Sequence, residues 1–258
     1  MNLGLAGRTA LVFGGSRGIG AASADALVGE GAVLGLTGRS LEALAPMLAR
    51  YPDALPIAAD LTVAGDADRA VAAMLARHGR IDLAVISVGA AQGGAFADLG
   101  DQVWEDALAL KFMGMIRALR ALVAPMRAAK FGRIVVIVGN NGRQPHKAML
   151  PGSAANAACL AVVRGLADDV AADGVRINAL NPGPTRTDRW AGLVERIAGA
   201  DRRDPGEVER ELLASQPLGR IAEADEMGRL VAMMLSDAAD MLVGTSLTAD
   251  GGATKVIG

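Results

Sequence analysis

Short apolar runs alternate with helix-periodic segments along this chain, and that alternation limits the folds open to it more than any other feature. The runs TALVF (9–13), AVLGLT (32–37), LPIAAD (55–60), LAVISV (83–88), RIVVIV (133–138) and VRINALN (175–181) read as strands. Helical spacing marks 19–30, 41–50, 66–78, 101–130 and 153–173. Strand and helix in alternation make βαβ units, hence an α/β fold with a parallel sheet and helices on both faces. Right-handed crossovers turn such units into a doubly wound sheet whose ligand crevice lies at the carboxyl ends of the strands. No linker or repeat divides the 258 residues, so one domain is expected. The charged segment 186–220, RTDRWAGLVERIAGADRRDPGEVERELLASQPLGR, interrupts the rhythm after a strand end, where a substrate-covering lid would sit. Trp190, Leu193, Val194 and Ile197 fall on one helical face of it and suggest a partly apolar ligand.

Composition excludes several classes. Hydrophobic residues make up 52% but aromatics only 3%, as expected where alanine-rich helices pack closely. No uninterrupted apolar run reaches the ~18 residues of a membrane span. The start, MNLGLAGRTALVFGG, carries no export signal, so a cytoplasmic protein is expected. Net charge is −2 with basic residues scattered singly, which leaves no footprint for nucleic acid. The single cysteine, Cys159, can form neither an internal disulfide nor a cysteine metal cluster, and no metal is expected.

The first strand runs directly into VFGGSRGIG. Gly14, Gly18 and Gly20 form a Gly-x-x-x-Gly-x-Gly turn with Ser16 and Arg17 inside it, and a helix opens at Ile19. Glycines let a diphosphate approach the backbone, and the helix N-terminus supplies amide donors and positive potential. Strand two ends in Thr37-Gly38-Arg39, without the acid that usually takes the ribose hydroxyls of NAD. Arg39, aided by Arg17, offers forked donors to a 2′-phosphate, so NADP(H) is expected over NAD(H).

With these residues the chain resembles the short-chain dehydrogenase/reductase superfamily over nearly its whole length, and a single Rossmann-type domain is implied. Asp60-Leu61 matches the family's adenine-contacting segment, and Gly89 ends the segment after strand four, here Ile86-Ser87-Val88-Gly89 in place of Asn-Asn-Ala-Gly. Asn181-Pro182-Gly183 with Thr187 matches the segment that meets the nicotinamide carboxamide, and Asp250-Gly251-Gly252 the C-terminal sheet edge. The resemblance also implies a homodimer or homotetramer built through 101–130 and 153–173, acting on a small molecule.

The family's usual reaction needs an asparagine, a serine and a Tyr-x-x-x-Lys pair. Counted from the flanking motifs, those positions hold Lys111, Gly139, Gly152 and Asn156, and the only tyrosine, Tyr51, lies far away. Lys111 and Asn156 look like an exchange of the family's asparagine and lysine. Lys111, flanked by apolar residues in LALKFMGMI, could hold the nicotinamide ribose or donate a proton if desolvation lowers its pKa. The loop GNNGRQPHK (139–147) gathers Asn140, Asn141, Arg143, His146 and Lys147 as an anion site, with His146 its candidate acid–base side chain. It is equally a turn signal. Ser153 offers a hydroxyl at a helix start, or simply a cap. The expected function is hydride transfer between NADP(H) and a carbonyl or alcohol through this altered site. Two other readings stay open: a dinucleotide-binding sensor or assembly protein without turnover, and a non-redox lyase or isomerase using Lys111.

Overall fold

The computed structural model describes residues 2–89 and 93–256. Seven parallel strands form the main sheet in the order β3-β2-β1-β4-β5-β6-β9. They are β1 (Thr9–Phe13), β2 (Val33–Gly38), β3 (Leu55–Ala58), β4 (Leu83–Ile86), β5 (Gly132–Ile137), β6 (Val175–Pro182) and β9 (Ser246–Ala249). The helices are α1 (Gly18–Gly29), α2 (Leu41–Arg50), α3 (Asp66–His78), α4 (Asp101–Ala107), α5 (Gly114–Ala129), α6 (Leu150–Val170), α7 (Asp188–Asp201), α8 (Pro205–Ala214) and α9 (Ala224–Leu235). Strand order reverses between β1 and β4, the switch point at which a doubly wound sheet opens its crevice. The expected α/β Rossmann architecture is the one observed.

The strands are apolar at consecutive positions because both faces of the sheet are covered. In β1, Leu11 and Phe13 join one core with α3, α5 and α6, while Ala10 and Val12 join the opposite core with α1, α2 and α9. The same alternation continues in β4 (Ala84, Ile86 against Leu83, Val85) and β5 (Ile134, Val136 against Val135, Ile137). A period of two in side-chain direction thus feeds two cores from one run of valine, leucine and isoleucine.

Four departures from the sequence expectation have local causes. The helix expected over 101–130 is interrupted: Leu108–Met113 forms a wider, π-type turn between α4 and α5, so Lys111 sits where the helical register shifts. The helix expected from Ser153 starts three residues earlier, at Leu150, with Pro151 in its first turn, where a missing N–H costs nothing. Segment 186–220 folds as α7 and α8, tied down by a two-stranded parallel ribbon, β7 (Thr185–Arg186) with β8 (Ala222–Glu223). Finally, Trp190, Val194, Ala198, Val208 and Ile221 form a small core between α7 and α8, and Leu193 and Ile197 pack against it. The apolar face of α7 is therefore spent within this unit and gives no argument for an apolar ligand.

Helix α6, with the turn that follows it, is long and apolar enough by length and composition to cross a bilayer. In this fold its Ser153, Ala155, Cys159, Val163, Ala167 and Val170 face is buried, and Arg164, Asp168 and Asp169 are exposed.

Candidate active site

The crevice begins at the glycine turn. Thr37 of β2 holds it in place, its Oγ1 accepting from Gly14 N at 3.2 Å and its carbonyl from Gly15 N at 2.9 Å. A Cβ on Gly14 would lie 2.3 Å from Ser87 O, at φ +76°, and one on Gly20 would lie 2.1 Å from Gly14 O. No side chain fits at either position, so the turn must be glycine for packing reasons alone. Arg17 is the N-cap residue of α1, and no side chain caps that helix. The first-turn amides around Ser16–Gly20 are therefore presented to the crevice end of the sheet, a donor set that suits a diphosphate. Arg17 and Arg39 are exposed, and neither makes an ion pair or side-chain hydrogen bond among the described residues. Asp60 is half-buried, its Oδ1 accepting from Thr62 N at 2.8 Å, and buried Leu61 has its carbonyl held by Arg117 Nη1 at 2.7 Å.

Lys111 occupies the centre. Its ammonium donates to Val88 O at 3.1 Å and to Ile137 O at 2.5 Å, stapling the ends of β4 and β5. Although part of the residue is exposed, the ammonium itself is desolvated. Desolvation pushes its pKa down to about 8, with Arg189 adding to the fall and Cys159 opposing it. The stem crosses Gly89, where a Cβ would sit 2.8 Å from Lys111 Cδ at φ +143°. On the other side, buried Cys159 points its thiol at Lys111 O at 3.8 Å, and burial raises the thiol pKa. One turn before Cys159, Asn156 lies over Gly139: a Cβ there would be 2.9 Å from Asn156 Nδ2, at φ +132°. Lys111 and Asn156 thus flank the carboxyl end of β5 from two elements, and two glycines make room for them.

The other expected residues are placed less openly. Ser153 is buried, its hydroxyl donating to Met149 O at 2.9 Å and accepting from His146 N at 3.5 Å. The hydroxyl serves the first turn of α6 from within and does not cap it. His146 is exposed, and its Nδ1 accepts from Ala148 N at 3.3 Å. The 139–147 loop is largely engaged with the C-terminal segment: Asn140 Nδ2 donates to Asp250 Oδ2 at 3.1 Å and Gln144 Oε1 accepts from Lys255 N at 2.6 Å. Asn140–Gly142 itself makes a single helical turn, as its turn signal foretold. Gly152 lies in the first turn of α6. Tyr51 donates to Asp25 Oδ1 at 2.9 Å, away from all of this, and is held above its ordinary pKa by burial and by Asp25.

Pro182 ends β6 and pairs with Ala249, and Gly183 packs so closely that a Cβ would be 2.7 Å from Asp250 Cβ. Thr187 stands over the glycine turn, 3.5 Å from the place a Gly18 Cβ would take. Sequence reading missed Arg189, whose Nη2 reaches Gly89 O at 2.5 Å. Its position two residues after Thr187 is the available signal, and reading 186–220 as a substrate-covering lid does not single it out. Sequence reading also missed the structural work of Thr37 and Asp250.

The chain belongs to the short-chain dehydrogenase/reductases: residues 14–254 match the family model described as enoyl-(acyl carrier protein) reductase. Among its relatives are a sorbitol dehydrogenase from Cereibacter sphaeroides, 28% identical with 96% of this chain and 98% of that protein covered. The NADPH-dependent reductase BacG of Bacillus subtilis is also 28% identical, covering 97% and 99%. Among solved structures, L-sorbose reductase from Gluconobacter frateurii, in complex with NADPH and L-sorbose, superposes with a TM-score of 0.93 at 25% identity over 100% of both chains.

Proposed function

We propose that this chain is an NADP(H)-dependent oxidoreductase that moves a hydride between the dinucleotide and the carbonyl or alcohol of a small molecule. Its family's usual catalytic positions are occupied by Lys111, Gly139, Gly152 and Asn156. The observation that carries this reading is Lys111, a cation desolvated between the ends of the two central strands with one N–H left after its two carbonyl partners. Relatives named for NADPH, and a similar structure holding it, support the cofactor, as does Arg39 where an NAD-binding acid would stand.

In this reading the dinucleotide, when bound, supplies or accepts the hydride. The Gly14–Gly20 turn, with Ser16, Arg17, Gly18 and Ile19, holds the diphosphate, and Arg39 meets the 2′-phosphate. Asp60 and Leu61 flank the adenine, Gly89 borders the ribose, and Pro182, Gly183 and Thr187 meet the carboxamide. Lys111 presents the N–H that gives a proton to the carbonyl oxygen during reduction, and Asn156 orients the ribose or substrate by hydrogen bonding. Ser153 and His146 are positioning residues: the Ser153 hydroxyl is held by Met149 O, and His146 Nδ1 accepts from Ala148 N. The α7–α8 unit covers the substrate. A homodimer or homotetramer forms through α5 and α6, where Ala154, Ala157, Ala161 and Gly165 leave a flat exposed face on α6.

The test is a panel of carbonyl compounds with NADPH, followed by oxidation of the reduced nicotinamide, with the Lys111→Met variant in parallel. Turnover in the wild-type protein, lost in Lys111→Met while NADPH binding weakens but persists, supports the reading. Full activity in the variant removes Lys111 from the reaction. Tight NADPH binding with no turnover across the panel favours a binding protein instead.

A further inference from the structure

Three cations border the crevice: Arg17 at the glycine turn, Arg189 in the first turn of α7, and Lys111 at the ends of β4 and β5. They are close enough to disfavour one another's charge. After desolvation, Arg17 is the next cause lowering the Arg189 pKa, and Arg189 lowers that of Lys111. Among the described residues no carboxylate is hydrogen-bonded or ion-paired to any of the three, although most arginines of this chain that make such contacts face an aspartate or glutamate. Arg189 donates instead to a main-chain carbonyl, Gly89 O at 2.5 Å, which ties the start of α7 to the segment after β4. Thr187, two residues earlier, already packs over Gly18. A guanidinium coupled to like charges and hydrogen-bonded only to a neutral carbonyl is suited to take an anion.

We propose that Arg189 is a diphosphate clasp: it exchanges Gly89 O for a diphosphate oxygen of the bound dinucleotide and so fastens the α7–α8 unit over the crevice. The inference rests on the dinucleotide-binding reading above and assigns the residue that couples binding to that unit. The exchange is chemically favourable, because a forked cation trades a neutral acceptor for a charged one. A diphosphate held there would also offset the repulsion of Arg189 with Arg17 and with Lys111. Arg17 alone, on a turn that must remain glycine-rich, offers one side-chain cation from one side. Arg189 supplies a second from the facing element.

Arg189→Gln removes the charge and the fork while keeping a polar side chain at the start of α7. Wild-type and variant proteins are titrated with NADPH and with adenosine 2′-monophosphate, which carries the adenosine and 2′-phosphate but no diphosphate, after thermal unfolding has shown both to be folded. The expected result is about ten- to a hundredfold weaker NADPH binding in Arg189→Gln, with binding of adenosine 2′-monophosphate unchanged. Arg189→Lys, which keeps the charge but loses the fork, falls between the two. Unchanged NADPH affinity in Arg189→Gln overturns the clasp, and so does an equal loss for both ligands, which would mark a general disturbance of the crevice. Wild-type protein that binds no NADPH overturns the dinucleotide reading itself, a result distinct from either.

Discussion

Replacing Lys111 by methionine should change how stability depends on pH, by an amount that follows from the structure. The Lys111 ammonium has its pKa pushed down to about 8 from an ordinary 10.5. Below about pH 8 both the folded and the unfolded chain hold this proton, and the folded state bears the full cost of the desolvated charge. Between about 8 and 10.5 the folded chain releases the proton while the unfolded chain keeps it, so stability rises with pH across that window. Integrating this proton-binding difference from about pH 7 to about pH 9.5 gives the wild-type protein about 2 kcal/mol of added stability from this one group. Lys111→Met lacks it. Cys159 acts in the opposite sense, because its buried thiol keeps a proton that the unfolded chain gives up, and losing the nearby cation makes that effect larger in the variant. It therefore widens the contrast. Urea unfolding of both proteins at the two pH values measures the double difference, and the many titrations common to both cancel. The expected outcome is a wild-type gain about 2 kcal/mol larger than that of the variant. Identical pH dependence in the two proteins would show that the ammonium is solvated in the folded state and would refute the reasoning.

Other perturbations probe the remaining parts of the site. In carbonyl reduction, kcat/KM should fall as pH rises through about 8, where Lys111 loses its proton, and a profile flat across that region would exclude Lys111 as the donor. Gly139→Ser should destabilise by about 1–3 kcal/mol. The new Cβ meets Asn156 Nδ2 at 2.9 Å in a backbone at φ +132°, and a thermal melt reads the loss. Adding Asn156→Ala should recover only the part due to the clash. Gly20→Ala places a methyl 2.1 Å from Gly14 O and should abolish dinucleotide binding by opening the turn, as read by fluorescence titration. Arg39→Asp should exchange preference from NADPH toward NADH by about tenfold or more, through lost pairing to the 2′-phosphate and gained contact to the ribose hydroxyls.

Much of the fold could be read from sequence because the strands are buried on both faces: a run such as RIVVIV serves two cores and has no other stable use. The break at Leu108–Met113 could not be read, because a single wider turn shifts register without interrupting the apolar pattern of LALKFMGMI. The α7 face was misread for a related reason. Periodicity reports that Trp190 and Val194 share a face but not what covers it, and the cover proved to be α8, a few residues along the chain. At the site, the glycine turn was legible since close approach of Gly20 to Gly14 O leaves glycine no substitute. The commitments of Asn140 and Gln144 were not, because they depend on Asp250 and Lys255, and no spacing rule pairs residues more than a hundred positions apart. The bond from Ser153 to Met149 is local, and it was hidden because α6 begins at Leu150 and not at Ser153. Arg189 belongs with these: one arginine among several in a charged segment, it is singled out only by the carbonyl it reaches.

The most direct test of the account is an equilibrium titration of the purified protein with NADPH and NADH, followed by fluorescence of the reduced nicotinamide. The account predicts saturable binding of both, with NADPH at least tenfold tighter and that margin lost in Arg39→Asp. Failure of either reduced dinucleotide to bind, or NADH binding more tightly than NADPH, would contradict it.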